Sequence, residues 1–155
     1  MREMDLDGFD RKILSLLQDD ASLTTAALAE AVARSPSQCS RRRIALERAG
    51  LIAGYRAELN ARALGYAVEA FSRVTLVAHS ETAVDDIAAF FDALPEVRMA
   101  YTLTGDADYL LHVQVRSLDE LASFVHRTLL PHPMVSQVRS DIVLQRVGRA
   151  KGAPV

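Results

Sequence analysis

Ser35-Pro-Ser-Gln-Cys-Ser-Arg-Arg-Arg-Ile-Ala-Leu-Glu-Arg-Ala-Gly50 reads as one capped helix, and the rest of the chain is placed by working outward from it. Ser35 suits the N-cap, Pro36 the first helical position, and Gln38 the position from which a capping box reaches back. Gly50 stops the helix, because glycine enters the left-handed conformation without steric cost. Cys39, Leu46 and Ala49 recur on one side of this helix, and Ser37, Arg41, Ile44 and Arg48 on the other. A short helix with a small apolar seam and an arginine-bearing outer face fits a DNA major groove. The stretch predicts a recognition helix.

A charge-rich outer face is ordinarily just solvated, so the local charge balance has to carry that reading. Residues 34–56 hold six arginines against one acid, Glu47, a local balance of +5. Residues 1–33 hold three bases (Arg2, Arg11, Lys12) and seven acids, a balance of −4. A chain of net charge −2 that gathers its positive charge around one helix has a surface with one polyanion-facing side.

N-terminal to this helix, Asp7 can cap a first helix whose buried stripe is Phe9, Ile13, Leu16 and Leu17, running through about Asp19. Asp7 and Asp10 both suit the positive end of that helix dipole. Thr24 caps a second, alanine-rich helix with Leu28 and Val32 inward, and Ala33-Arg34 make a tight connection to Ser35. Two short helices, a turn and a third helix with outward arginines form the helix-turn-helix pattern. Leu51 to Leu59 reads as an extended segment leaving this unit, and Asn60 to Gly65 as a hinge. The expected division is residues 1–60, a DNA-binding domain with its linker, and 61–155.

The second half changes period. Glu69 to Ala78 alternates as a strand with Ala70, Val74, Leu76 and Ala78 on one face. Val84, Ile87, Ala88, Phe91 and Leu94 fall at helical spacing. Val97–Thr104 and Asp108–Val115 predict two strands around a Gly105-Asp-Ala hairpin. Ser117 with Glu120 predicts a capping box opening a helix with Leu121, Phe124, Val125 and Leu129 inward. Pro131 and Pro133 end it, and Val135 to Val147 predicts the closing strand. The order is βαββαβ, a ferredoxin-like sandwich, so the fold class is α+β. Both helices of such a sandwich cover one sheet face. The other carries Phe71, Val77, Leu110 and Val143 mixed with Arg73, Thr75, His112 and Gln137, which suits a subunit interface better than water or an interior.

Composition sets the outer limits. Half of the 155 residues are apolar, enough for a real core. The mild net charge argues against a protein that coats nucleic acid indiscriminately. A single cysteine, Cys39, excludes an internal disulfide framework and fits the cytoplasm; on the inner side of its helix it reads as a packed thiol. No apolar run of membrane-spanning length and no export signal are visible, so no membrane partner is expected. His79, His112, His126 and His132 lack metal-ligand spacing, and there is no Gly-rich phosphate loop or nucleophile elbow. No metal, cofactor or catalytic residue is assigned, and the chain is not read as an enzyme.

The residues now in view carry a family resemblance. Leu6-Asp7, Asp10, Ile13-Leu14, Leu17-Gln18, Leu28-Ala29, Ser35-Pro36, Arg42, Leu46-Glu47, Gly50-Leu-Ile52 and Gly54-Tyr55 match in order and spacing. In the second half Thr104-Gly-Asp-Ala-Asp-Tyr-Leu-Leu111 is the most distinctive match, and Ser140 with Ile142-Val143-Leu144 fits the closing strand. From about Leu6 to Val147 the chain resembles the Lrp/AsnC, or feast/famine, transcription regulators. The resemblance implies a winged-helix-like N-terminal domain and a C-terminal effector-binding RAM domain. It also implies dimers that often assemble into octamers, and amino-acid effectors. Two departures concern the helix itself: the family commonly has an apolar residue at the position of Arg43 and a basic one at that of Ile44. Any operator sequence borrowed from the family is therefore unsafe.

For double-stranded DNA the candidate contacts are Thr24, Ser35, Ser37, Gln38, Ser40, Arg41, Arg42 and Arg43. Arg41 points furthest from the seam and is the first choice for a base edge. Arg42 and Arg43 flank the seam and suit phosphates, which position without reading sequence. Gln38 is divided between capping and contact. For the small-molecule effector, an amino acid on the resemblance, the candidates are Thr104, Gly105, Asp106, Ala107, Asp108 and Tyr109, near Val138 and Ser140 and against a neighbouring subunit. Asp106 or Asp108 could meet an ammonium group and backbone N–H groups a carboxylate. The same loop also reads as a purely structural turn in which Asp108 holds backbone N–H groups. The leading function is a sequence-specific regulator responding to a small molecule. The competing one is a ferredoxin-like enzyme or sensor without DNA binding.

Overall fold

Three side-chain caps set the helical half. Asp7 accepts from the Asp10 N–H and Asp10 accepts back from the Asp7 N–H, starting α1, Gly8–Asp19. Thr24 accepts from the Ala27 N–H at 3.2 Å and starts α2, Thr25–Val32. Ser35 and Gln38 form the reciprocal capping box of α3, Pro36–Arg48. Each cap satisfies N–H groups that a helix start leaves without partners. Between α2 and α3 the chain turns at Ala33, which is left-handed (φ 53°), and the N–H groups of Ala33 and Arg34 return to Glu30 and Ala29. Gly50 (φ 74°) ends α3 as its own N–H bonds Glu47 and the Leu51 N–H bonds Leu46, a Schellman pattern.

The computed structural model describes residues 5–77, 81–148 and 152–155, with backbone alone for 81–84. It comprises two units, Met1–Glu58 with Gly148–Val155, and Leu59–Val147. The final residues therefore group with the helices, where the Gln18 amide donates to the Ala153 carbonyl at 3.1 Å. The sequence had assigned them to the second half.

In the first unit Ile13, Leu14 and Leu17 meet Leu28, Ala29 and Val32 of α2 and Cys39 and Leu46 of α3. Leu14 is buried where the sequence reading put Leu16; Leu16 and Phe9 are half-buried. Two helices press on α1 at once, so its buried face is centred on 10, 13, 14 and 17. Residues 51–59 form no strand.

In the second unit the elements are β1 Val68–Leu76, α4 Glu81–Ala93, β2 Val97–Thr102, β3 Tyr109–Val115, α5 Leu118–Ser123 and β4 Val135–Ile142. The sheet order is β2-β3-β1-β4 and every pairing is antiparallel. Ala70, Ser72, Val74 and Leu76 of β1 alternate inward with Tyr109, Leu111, Val113 and Val115 of β3, covered by Ile87, Phe91, Leu121, Phe124 and Leu129. After Ser123 the helix widens into a π-helical turn, Phe124–Leu129. That wider turn lets Phe124 and Leu129, five residues apart, both reach the core.

The details differ from expectation at several places. Ala88 is exposed, because α4 meets the sheet along the narrow line Ile87–Phe91. Ala78, His79 and the side chain of Val84 lie outside the described residues. The β2–β3 connection spans residues 103–108, since the Asp108 carboxylate accepts the Leu76 N–H at 2.7 Å and its own N–H bonds Val74. Glu120 accepts from the Arg116 N–H rather than closing a box on Ser117, which does cap Glu120 at 3.1 Å. β4 stops at Ile142, and Leu144 and Val147 are exposed.

The uncovered sheet face is part apolar and part charged. Phe71 stacks on His112 with ring centroids 5.0 Å apart, and His112 Nε2 lies 2.6 Å from Glu69 Oε1. Arg146 holds the same Glu69 carboxylate with two bonds of 2.9 Å, and Arg73 pairs with Asp141. Met99 and Tyr101 extend this face across β2 and are exposed.

Candidate nucleic-acid interface and effector loop

The eight candidate DNA contacts do not share one fate. Arg42 sits at 39, 42, 46 spacing with Cys39 and Leu46, so it belongs to the inward seam of α3. Its Nε and Nη2 grip the two oxygens of Asp10, and Nη2 also reaches Asp7 at 3.3 Å. Asp10 is fully buried, while Arg42 keeps about a third of its side chain exposed. The Arg42 hydrogen bonds hold the Asp10 carboxyl below its ordinary range, outweighing burial, which pushes the other way. Arg42 thus locks α3 to α1, where the sequence reading had it on a phosphate. Its signal was legible: Asp10 lies on the same stripe as Ile13 and Leu17, and a carboxylate aimed at a core needs a cation.

Arg43 is engaged as well. Its guanidinium lies 4.5 Å from the centre of the Tyr55 ring and donates to Tyr55 Oη at 2.8 Å and Glu47 at 3.3 Å. The Tyr55 hydroxyl donates to Glu47 at 2.7 Å. Burial, followed by the Glu47 contact, raises the Tyr55 pKa. This cluster fastens the extended segment after α3 to the side of that helix.

Ser37, Arg41, Ile44 and Arg48 are exposed and Ser40 half-exposed; with Ala45 they line one shallow groove along α3. Arg41 also borders a second groove with Gln38 and Arg34, whose guanidinium lies 5.9 Å from the Phe9 ring centre. Among the described residues, Arg34, Arg41 and Arg48 have no carboxylate within salt-bridge distance. Thr24 and Ser35 serve as caps, and Gln38 is committed to its box through Oε1, 3.2 Å from the Ser35 N–H. The local excess of +5 is thereby sorted. Two arginines build the unit, and unpaired ones remain on the outward groove.

The effector candidates are spread across the second unit. Thr104, Gly105 and Asp106 are exposed, and Gly105 has φ 150°, a conformation that side-chain-bearing residues rarely adopt. Asp108 spends its carboxylate on the Leu76 N–H, the structural alternative foreseen for it. Ala107 and Tyr109 are buried, with the Tyr109 ring edge-on to Phe91 at 5.2 Å. The Tyr109 hydroxyl is buried without a hydrogen-bond partner among the described residues, and burial raises its pKa. Val138 lies opposite Val74, and Ser140 opposite Ser72 with their hydroxyls 2.7 Å apart, so both belong to the helix-covered side. One unit alone does not gather the loop and β4 into a single cavity, since β1 stands between them. Asp106 is the loop carboxylate that stays exposed.

Two family matches and the relatives agree with this architecture. Residues 6–53 match the winged helix-turn-helix DNA-binding family, and residues 69–152 match the Lrp/AsnC ligand binding domain. The leucine-responsive regulatory protein of Rhizobium meliloti is 40% identical over 144 residues, covering 93% of this chain and 92% of that protein. The HTH-type transcriptional regulator AldR of Mycolicibacterium smegmatis is 31% identical, covering 95% and 86%. Among solved structures, a transcriptional regulator of Neisseria meningitidis in complex with L-Met superposes with a TM-score of 0.92 at 37% identity, covering 97% of each chain. A capped three-helix unit with an arginine groove, a β2-β3-β1-β4 sandwich and full-length relatives of both kinds lead to one assignment. The chain belongs to the Lrp/AsnC family of transcriptional regulators.

Proposed function

We propose that this regulator binds operator DNA as a two-fold dimer through the outward groove of α3. In this reading Arg41 reads a base edge, Arg48 and Arg34 meet phosphates, and Ser37 and Ser40 supply further polar contacts. Thr24, Ser35 and Gln38 act through the helix starts they cap, whose N–H groups favour phosphate oxygens. The observation that carries this is the division of the arginines: Arg42 and Arg43 have carboxylate partners, while Arg41 and Arg48 face outward without one among the described residues. A gel shift against the DNA upstream of the chain's own coding sequence tests it. A discrete complex is expected that survives excess random DNA, and binding equally displaced by random DNA overturns sequence specificity.

The effector is an amino acid held at the 104–108 loop against a second subunit. The L-Met complex of the Neisseria meningitidis relative supports that ligand class. Asp106 suits the ammonium group, and loop N–H groups the carboxylate. Thermal shift over the proteinogenic amino acids is expected to show a rise in Tm with a subset of them. Asp106→Asn should abolish that rise and leave DNA binding by the unliganded protein intact. An undiminished rise in the variant moves the site elsewhere.

The second subunit docks on the open sheet face, where Phe71, Leu110, Met99 and Tyr101 supply apolar area, and dimers of this kind assemble further into octamers. Light scattering at low micromolar concentration is expected to give a dimer or larger, and a stable monomer would remove the two-subunit site. The chain works in the cytoplasm as a regulator and not as an enzyme. No helix among the described residues is long and apolar enough to cross a membrane.

A further inference from the structure

Ile44 is a large apolar side chain placed where a DNA-facing helix ordinarily spends polar or charged residues. It is 43% exposed, lies outside the core cluster of its unit, and sits in the groove with Ser37, Ser40, Arg41 and Arg48. Arg41 stands three residues before it and Arg48 four residues after it, so all three share one helix face. Leaving 43% of an isoleucine exposed between two cations forgoes a large part of what its full burial would contribute to folding. It does give an apolar surface flanked by two charges that hold a polyanion against it.

We propose that Ile44 is a specificity-determining residue that reads the C5-methyl of a thymine in the major groove, next to the base edge read by Arg41. This rests on the DNA-binding reading above. The thymine methyl is the one apolar group on the floor of the major groove, so an apolar side chain there distinguishes thymine from cytosine and from the purines. Position follows from helix geometry. Three residues of α-helix rise about 4.5 Å, comparable to one base-pair step of about 3.4 Å, so the two side chains address neighbouring base pairs rather than the same one. The serines on the same face add no competing charge. The outward face therefore favours a short element in which a guanine and a thymine are one or two steps apart, repeated in each half-site of a two-fold site.

The test isolates the methyl group. A random duplex pool is enriched on the full-length protein, and each thymine of the enriched site is replaced singly by deoxyuridine, which removes only that methyl. Affinities are read by fluorescence anisotropy at fixed salt. The intact protein is expected to lose roughly 3- to 5-fold at one thymine per half-site, the value of one buried carbon. Ile44→Ala should bind the thymine and uracil duplexes equally there, and its helix is expected to stay folded because the position is exposed and alanine is the better helix former. Ile44→Val, which keeps an apolar surface, should retain part of the discrimination. A site in which every thymine tolerates uracil overturns the assignment, as does an undiminished uracil penalty in Ile44→Ala. Both outcomes leave the DNA-binding reading standing. A pool that yields no enriched sequence overturns that reading and this assignment together.

Discussion

Arg42→Ala is expected to destabilise the helical unit by about 3–5 kcal/mol at neutral pH, because it strands a fully buried carboxylate. A unit of this size has total stability on the order of 3–9 kcal/mol, so the variant should lose about a third or more of it and unfold at markedly lower urea concentration. The effect is asymmetric between the partners. Asp10→Ala leaves a guanidinium that is already about one-third exposed and can rehydrate, so its cost should be smaller, about 2–3 kcal/mol including the lost capping-box bond. Urea denaturation followed by helical circular dichroism measures both. Acid provides an independent check. In the intact protein the Asp10 pKa is depressed, so its contribution is complete above the unfolded value of about 3.9 and is lost as pH falls through the lower folded value. Without Arg42 the buried carboxyl shifts upward instead, and its penalty is relieved on acidification. The stability gap between the two proteins should therefore narrow from neutral pH toward pH 4. A variant that keeps wild-type stability but loses DNA affinity would return Arg42 to the phosphate role.

Arg41→Ala is expected to lose roughly 5- to 150-fold in affinity on the preferred duplex, the range of a bidentate arginine–guanine contact of about 1–3 kcal/mol. The loss should be unequal across duplex variants and vanish on those lacking the base that Arg41 reads. Arg48→Ala should instead weaken all duplexes alike and reduce the slope of log affinity against log salt by about one. Neither side chain has a carboxylate partner among the described residues, so both variants should keep wild-type stability within about 0.5 kcal/mol. Anisotropy titrations over a salt series separate the two behaviours. Equal losses for Arg41→Ala on every duplex would make α3 a positioning helix and not a reading one.

What the sequence determined by itself is what depends on local chemistry and periodicity. The Asp7, Thr24 and Ser35 caps, the Gly50 stop, the outward position of Arg41 and the βαββαβ order follow from residues within a few positions of one another. Capping and alternation are short-range interactions, and they formed where those residues stand. The positive cluster was also legible as composition, and Asp10 on the stripe of Ile13 and Leu17 called for a cation, but which arginine meets which carboxylate was not. A count of arginines treats Arg41, Arg42, Arg43 and Arg48 alike. Whether a cation faces DNA or a carboxylate depends on which helix lies across from it, and Asp10 is 32 residues away from Arg42. The effector loop shows the same limit. Gly105 and Asp106 could be read as an exposed turn, yet the commitment of Asp108 to Leu76 and of Ser140 to Ser72 required the register of β1 against both its neighbours. Local rules fix where a side chain leaves its own helix or strand, and only the tertiary packing decides what it meets there.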